Sequence, residues 1–309
     1  MALTQAQIDA LKTALVARFN KGLAAAPNNW PTVARKIASN SKSNTYEWLS
    51  LFPMFREWVS GNRLHKQLKE SAYVVPNRRF ESTIGIPRTD IEDDTFGQYG
   101  ELSEALGYAA IEFQNRLVFE ALVAGFKEKC YDGQPFFDED HPVAPNEDGS
   151  GTAISVSNVQ AGTGEPWALL CTKRAVAPIY LQEREAARFD AVTNGSDFTV
   201  FDTDRYSYGG YWRGAAPYGF WQLAFGSKAP LTEANFNAAY DAMFSCKGDG
   251  NRVLGIVPDL LVVGPSNRAA AEALIDAQFK ANGASNTNYK KVELLASPFM
   301  VNPVKQEEE

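Results

Sequence analysis

An α+β chain is predicted from three observations. Apolar residues recur at helical spacing through residues 4–19 and, over a much longer stretch, through 99–129. Short strand-like runs then alternate with amphipathic helices through the second half, and no internal repeat organises the chain.

The first helix is set by Thr4 and Gln7, a capping-box pair, followed by Ile8, Leu11, Leu15 and Phe19 on one face. Gly22 and Pro27 are expected to end it. Residues 28–44 are polar, interrupted by Pro31, and read as an extended connector. The first ~45 residues therefore look like an arm that packs on a neighbour. Residues 72–75 and 80–86 have strand character, with Tyr73 and Val75, then Ser82, Ile84 and Ile86, at period two. Pro76-Asn77 and Pro87 break them. Such a hairpin is marginal alone and should find its partner elsewhere.

Residues 99–129 form the longest element: Leu102, Leu106, Ala109, Phe113, Leu117, Leu122 and Phe126 keep a helical stripe with no proline. The rod would be ~45 Å long. It stops at Tyr131-Asp132-Gly133, and the Gly-, Asn- and Ser-rich stretch 146–163 marks the internal boundary. Beyond it, residues 167–171, 176–181, 199–201, 253–257 and 260–263 read as strands, and 220–225 as strand or helix. Thr232 caps a helix to Phe244, and Pro265-Ser266 opens another over 267–279. The tail 305–309 is charged.

Composition narrows the function. With 309 residues, of which 45% are hydrophobic, the chain can fill a core in about two domains. Aromatics reach 12%, clustered at Tyr206, Tyr208, Tyr211, Trp212, Tyr218, Phe220 and Trp221, which suits cores and protein–protein interfaces alike. A net charge of −7 without a long Lys/Arg run argues against gripping phosphates, although an acidic wall could enclose DNA without sticking to it. Cys130, Cys171 and Cys246 lie far apart and form no CxxC pair, so a reducing compartment, with neither disulfides nor zinc, is expected. The opening residues contain no apolar h-region, and no stretch approaches the ~20 apolar residues of a membrane span.

Catalytic signatures are absent. Asp138-Glu139-Asp140-His141 is the one cluster that resembles metal ligands, and a metal-dependent hydrolase using Asp138, Asp140 and His141 is the enzymatic alternative. Its spacing matches neither HExxH nor an EF-hand, and the His-Pro step favours a turn. Asp90, Glu92, Asp93 and Asp94 precede the long helix, where carboxylates suit the positive end of its dipole or a neighbour's basic side chain. His65 and His141, the two histidines, adjoin no GxSxG elbow or cysteine-nucleophile signature, and the glycines of 207–219 make no phosphate loop. No enzyme activity, cofactor or metal is expected.

Several blocks, taken in order, resemble the Mu-like phage major head subunit family. They include Ser43-Asn44-Thr45-Tyr46-Glu47-Trp48-Leu49, Phe52-Pro53 with Arg56-Glu57-Trp58, and Arg63. Tyr73, Asn77, Phe80-Glu81 and Asp90-Ile91-Glu92-Asp93-Asp94 follow. Tyr131-Asp132-Gly133-Gln134, Phe136-Phe137 and Asp140-His141-Pro142 are the most distinctive. Pro166-Trp167 through Arg174, Gln182-Glu183-Arg184, Tyr218-Gly219, Trp221-Gln222 and Ala224 complete the set, which spans residues 43–302. The resemblance implies an HK97-like capsid fold. Its parts would be an N-terminal arm (1–51), an extended hairpin loop (52–94), a peripheral domain with a spine helix (95–165), an axial domain (166–296) and a C-terminal segment (297–309).

It further implies a major capsid protein that forms hexamers and pentamers of an icosahedral head enclosing double-stranded DNA, assembled in the bacterial cytoplasm and ending in the virion. A scaffold or protease, a portal and a decoration protein would be the other partners. On that frame Arg56, Trp58 and Arg63 stand at the hairpin base and Arg78 and Arg79 near its tip. Pairing with the acidic 90–94 stretch of a neighbouring subunit is expected, with intrachain pairing or solvation as the alternative. An encapsulin-like shell and a tail or portal component are the structural rivals.

Overall fold

The computed structural model describes residues 4–50, 52, 73–92, 96–194 and 196–302. Helix α1 (Gln5–Ala25) begins at the predicted capping box: Thr4 Oγ1 accepts from the Gln7 amide, and the Gln7 side chain accepts from the Thr4 amide. Gly22 does not end the helix but lies inside it, one turn before Ala25. After a 3-10 turn at Trp30–Thr32 come β1 (Ala34–Ala38) and β2 (Ser43–Thr45), in the stretch expected to be an unpaired connector. The backbone groups of residues 34–38 are satisfied by parallel pairing with a strand some 145 residues away, a partner no local pattern announces.

Strands β3 (Val74–Pro76) and β4 (Arg78–Pro87) occupy the predicted hairpin segment. They do not pair with each other. β3 lies antiparallel to β2, and β4 joins a separate sheet. The short helix α2 (Arg88–Glu92) follows, then the long helix α3 (Phe96–Ala124) of 29 residues, about 43 Å. It ends one turn sooner than its apolar stripe. At Gly125 an added Cβ would meet the rings of Phe137 and Phe136 at 3.1 and 3.2 Å, so the chain turns away where those rings press in.

The second half contributes β5 (His141–Val143), β6 (Ile154–Val156), β7 (Val159–Gln160), β8 (Trp167–Leu170) and the 14-residue β9 (Ile179–Val192). Helix α4 (Phe198–Thr203) connects β9 to β10 (Arg205–Ala215). Then come β11 (Ala224–Ser227), α5 (Glu233–Phe244, capped by Thr232), β12 (Lys247–Gly248), β13 (Arg252–Val253) and β14 (Leu260–Val263). Helix α6 (Arg268–Ala271), continued by a π turn at Glu272–Asp276, and β15 (Glu293–Ala296) finish the described chain. Residues 199–201, expected to be extended, are helical because Asp197 caps the Thr199 amide and the Thr203 hydroxyl bonds the Thr199 carbonyl.

Two sheets result. One runs β1-β9-β10-β4, with β10 antiparallel to both of its neighbours; the other runs β15-β14-β8-β11-β7. The main core joins α3 to the five-stranded sheet, where β8 and β14 are buried at every residue. Strand β9 is buried from Ile179 to Gln182 and from Glu185 onward alternates between half-buried and exposed residues, one face of its outer half meeting solvent.

A second, smaller core gathers Ile8, Leu11 and Leu15 of α1 with Ile86, Val200, Tyr206 and Tyr208. The helix expected to need a neighbour thus packs on its own chain. It lies on a stripe of small residues of α3, where Ser103 Oγ donates to the Leu15 carbonyl at 2.8 Å and Arg18 and Lys21 both pair with Glu104. Among the described residues no helix is long and apolar enough to cross a membrane.

Candidate functional site

The predicted contact residues divide in three. Arg56, Trp58, Arg63, Asp93 and Asp94 lie outside the described residues, and of Glu92 only the backbone is described. Arg78 and Arg79 are exposed at the start of β4, opposite Gly214 and Arg213 of β10, with the Arg78 guanidinium 5.3 Å over the Phe80 ring. Asp90 is exposed on α2, beyond the far end of the same strand, and takes a long hydrogen bond of 3.4 Å from the Tyr99 hydroxyl. A ten-residue strand separates these charges by roughly 30 Å, so Arg78 and Arg79 cannot pair with their own Asp90.

The stretch between these groups and the arm is fastened by a polar knot. Tyr46 Oη donates to Gln182 Oε1 at 2.5 Å; Gln182 Nε2 donates to Asn77 Oδ1 at 2.7 Å; Asn77 Nδ2 donates to Ser39 Oγ at 2.7 Å. Ser39 passes its own proton to Asn44 Oδ1 at 2.7 Å. Gln182 is fully buried, and burial pushes the Tyr46 phenol up to about 12. The Tyr46 amide also bonds the Tyr73 carbonyl at 3.0 Å, so the chain on both sides of residues 53–72 is pinned to one point of β9. The sequence signal was a glutamine at the end of an apolar strand run, which a composition-based reading passes over.

Asp138, Asp140 and His141 do not converge on a common point. Asp138 Oδ1 accepts the Asp140 amide at 3.1 Å, a turn contact, and Asp140 takes the Ser155 hydroxyl. His141 faces the other way, its Nδ1 2.7 Å from Asp132 Oδ2 and its Nε2 3.2 Å from Asn158 Oδ1. The side chains that do come together are Cys130, Asp132 and His141, with their ligand atoms within 4.8 Å of one another. Direct hydrogen bonds fill that space, Cys130 Sγ donating to Asp132 Oδ1 at 3.1 Å, and burial, then the charge of Asp132, pushes the Cys130 thiol far up. A thiol so held is protonated and serves as a hydrogen-bond donor to Asp132.

One feature was not foreseen. Phe198 and Phe201, on α4 at the turn between the two longest strands, are 79% and 82% exposed. The turn is built, not loose. Val200 anchors it in the smaller core, Asp204 caps it at φ 50°, and Arg88 binds Asp204 through both backbone and side chain. Two phenylalanines side by side in water on a hydrogen-bonded helix are the kind of exposed apolar pair that contact surfaces carry. The Phe-x-x-Phe pair between Asp197 and Asp202 could have signalled it had the segment been read as helix.

Over nearly its whole length the chain, with its long helix and long-stranded sheet, matches phage capsid subunits in solved structures. The chain superposes on a subunit of the procapsid of bacteriophage JBD30 with a TM-score of 0.85 and 44% identity, covering 96% of this chain and all of that one. The architecture is the HK97-like α+β capsid fold. In sequence the chain is 39% identical to the major capsid protein of Escherichia phage Mu, over 97% of this chain and 100% of the other. It is 41% identical to the Mu-like prophage FluMu major head subunit of Haemophilus influenzae, over 89% and 91%. The family model of the Mu-like prophage major head subunit gpT matches residues 8–300, and the chain belongs to that family. It is a major head subunit, a structural protein of the phage virion and not an enzyme.

Proposed function

We propose that copies of this chain form hexamers and pentamers that close into an icosahedral head around double-stranded DNA, in the cytoplasm of the bacterial host. The observation that carries this reading is the likeness, over nearly the whole length, to a subunit of an assembled procapsid. A closed shell asks each subunit to make several moderate contacts. In this reading residues 1–51 are an arm, 52–94 an extended loop lying on a neighbour, 95–165 the peripheral domain, 166–296 the axial domain and 297–309 a terminal segment.

Arg56, Trp58, Arg63, Arg78 and Arg79 of one subunit meet Asp90, Glu92, Asp93 and Asp94 of another. The distance between Arg78 and Asp90 within one chain favours this over intrachain pairing, and the Phe198–Phe201 tip supplies an apolar contact beside the charged one. A scaffold or protease, a portal and a decoration protein are the further partners. The acidic chain, at net −7, encloses the packaged DNA without sequence-specific contacts.

The test is sedimentation velocity with negative-stain microscopy, on the chain alone and co-expressed with the adjacent head genes. Capsomers or closed shells are expected. A chain that stays monomeric even with those genes present sinks the proposal.

A further inference from the structure

The hydrogen bonds around His141 place a proton on its Nε2 and set a carboxyl group against its Nδ1. Asn158 Nδ2 is surrounded by carbonyl oxygens, of Phe136 at 2.9 Å, Ala224 at 3.2 Å and Trp221 at 3.3 Å, so the amide cannot be flipped. Its Oδ1 accordingly faces the Asp138 amide at 2.9 Å and His141 Nε2 at 3.2 Å. An amide oxygen only accepts, so Nε2 carries a proton. On the other side, Asp132 Oδ1 accepts from the Gln134 amide and the Cys130 thiol, both at 3.1 Å, and Oδ2 lies 2.7 Å from His141 Nδ1. With Asp132 ionised, as a carboxylate beside an imidazole ordinarily is, Oδ2 accepts from Nδ1 as well. The imidazole, with no exposed surface, then has two donating nitrogens.

We propose that His141 is a buried imidazolium, with Asp132 as its counter-ion and the Trp221 ring as its lid. The Trp221 ring lies parallel to it, 7° between planes and 4.1 Å between centroids, as a cation over an aromatic face would. Geometry gives this charge a mechanical role. It joins the turn after α3 to the segment leading into β11, and Asn158 ties both to β7, so the end of the long helix and the five-stranded sheet are riveted at one point. Removing either charge alone would leave the other buried without a partner.

The chain has two histidines, so the H65Q variant leaves His141 as the one imidazole signal in a side-chain nitrogen NMR spectrum of the full-length subunit. Both ring nitrogens are expected to be protonated at neutral pH, with both protons in slow exchange with water. A spectrum with one unprotonated nitrogen overturns the proposal. In D132N the introduced amide can donate to Nδ1, so His141 should become neutral with the Nε2 proton retained. A ring that stays doubly protonated in folded D132N also overturns it, since Asp132 would then not be the counter-ion. Should D132N fail to fold, the H65Q spectrum decides alone.

Discussion

Gly22 of α1 and Gly107 of α3 face each other across the helix crossing, and each stands against the partner helix's backbone. A Cβ at Gly22 would lie 1.9 Å from the Glu104 carbonyl oxygen, and one at Gly107 would lie 2.0 Å from that of Phe19. In an exposed helix interior, Gly→Ala is worth up to about 1 kcal/mol of added stability. Here the contact is backbone, which cannot rotate away, and overpacking of this kind costs roughly 1–3 kcal/mol or more. G22A and G107A should therefore both lower the urea midpoint. G100A is the control: its nearest neighbour is the flexible Arg18 side chain at 3.7 Å, and it should be neutral or stabilising. Equal gains in all three variants would contradict the close crossing.

Charge pairing between subunits makes a different demand. Reversing the exposed Asp90 to lysine should lower particle yield at least several-fold while the melting temperature of the free subunit moves little, because exposed charges contribute about 0–1 kcal/mol within a chain. Reversing Arg78 and Arg79 to glutamate in the same chain should recover part of the yield. Unchanged particle numbers in the acidic-to-basic variant would remove Asp90 from the contact.

The three cysteines give a pH prediction. Burial raises all three thiols, Cys246 to about 11 and Cys130 beyond the usual range, with Asp132 adding to the burial at Cys130. A raised thiol is protonated below its pKa, so the reactive thiolate is scarce at pH 8 and grows as pH climbs. Counted by mass spectrometry after iodoacetamide treatment, the native subunit should show almost no labelling at pH 8 and full labelling in urea. Rapid modification of Cys130 in the folded protein at pH 8 would contradict the buried, hydrogen-bonded thiol.

Elements with their own local signal were legible before the structure: α1 from its cap and stripe, α3 from its period, β8, β14 and α5 from apolar runs and Thr232. What escaped depended on partners remote in sequence. Residues 34–38 become a strand because of Ile179–Glu183, and residues 78–87 leave the expected hairpin because the aromatic-rich 205–215 run pairs with them. The same holds for the sites. Asp138, Asp140 and His141 are adjacent in sequence yet diverge, whereas His141 meets Asp132 and Asn158, 9 and 17 residues away, through a turn that no spacing rule describes. The family resemblance carried what local physics could not, since several ordered blocks report on the whole fold at once.

Phe198 and Phe201 allow the shell contact to be separated from subunit folding. Most apolar-to-polar changes that impair assembly also weaken the monomer, because the side chain serves both. These two rings are almost wholly in water, so replacing both with serine removes little intrachain packing, and the subunit should keep its urea midpoint within about 0.5 kcal/mol. Val200 supplies the contrast from the same helix: it is 1% exposed, and Val200→Ala opens a cavity in the smaller core that should cost roughly 1–3 kcal/mol. If the tip is a contact between subunits, the double serine variant forms few or no particles by negative stain when co-expressed with the other head genes, although its monomer is as stable as wild type. V200A should show the opposite pattern, a weaker monomer that still assembles at low temperature. Normal particles from the double serine variant would mean that the tip is not a contact, and the exposure of two phenylalanines on a rigid turn would then need another occupant.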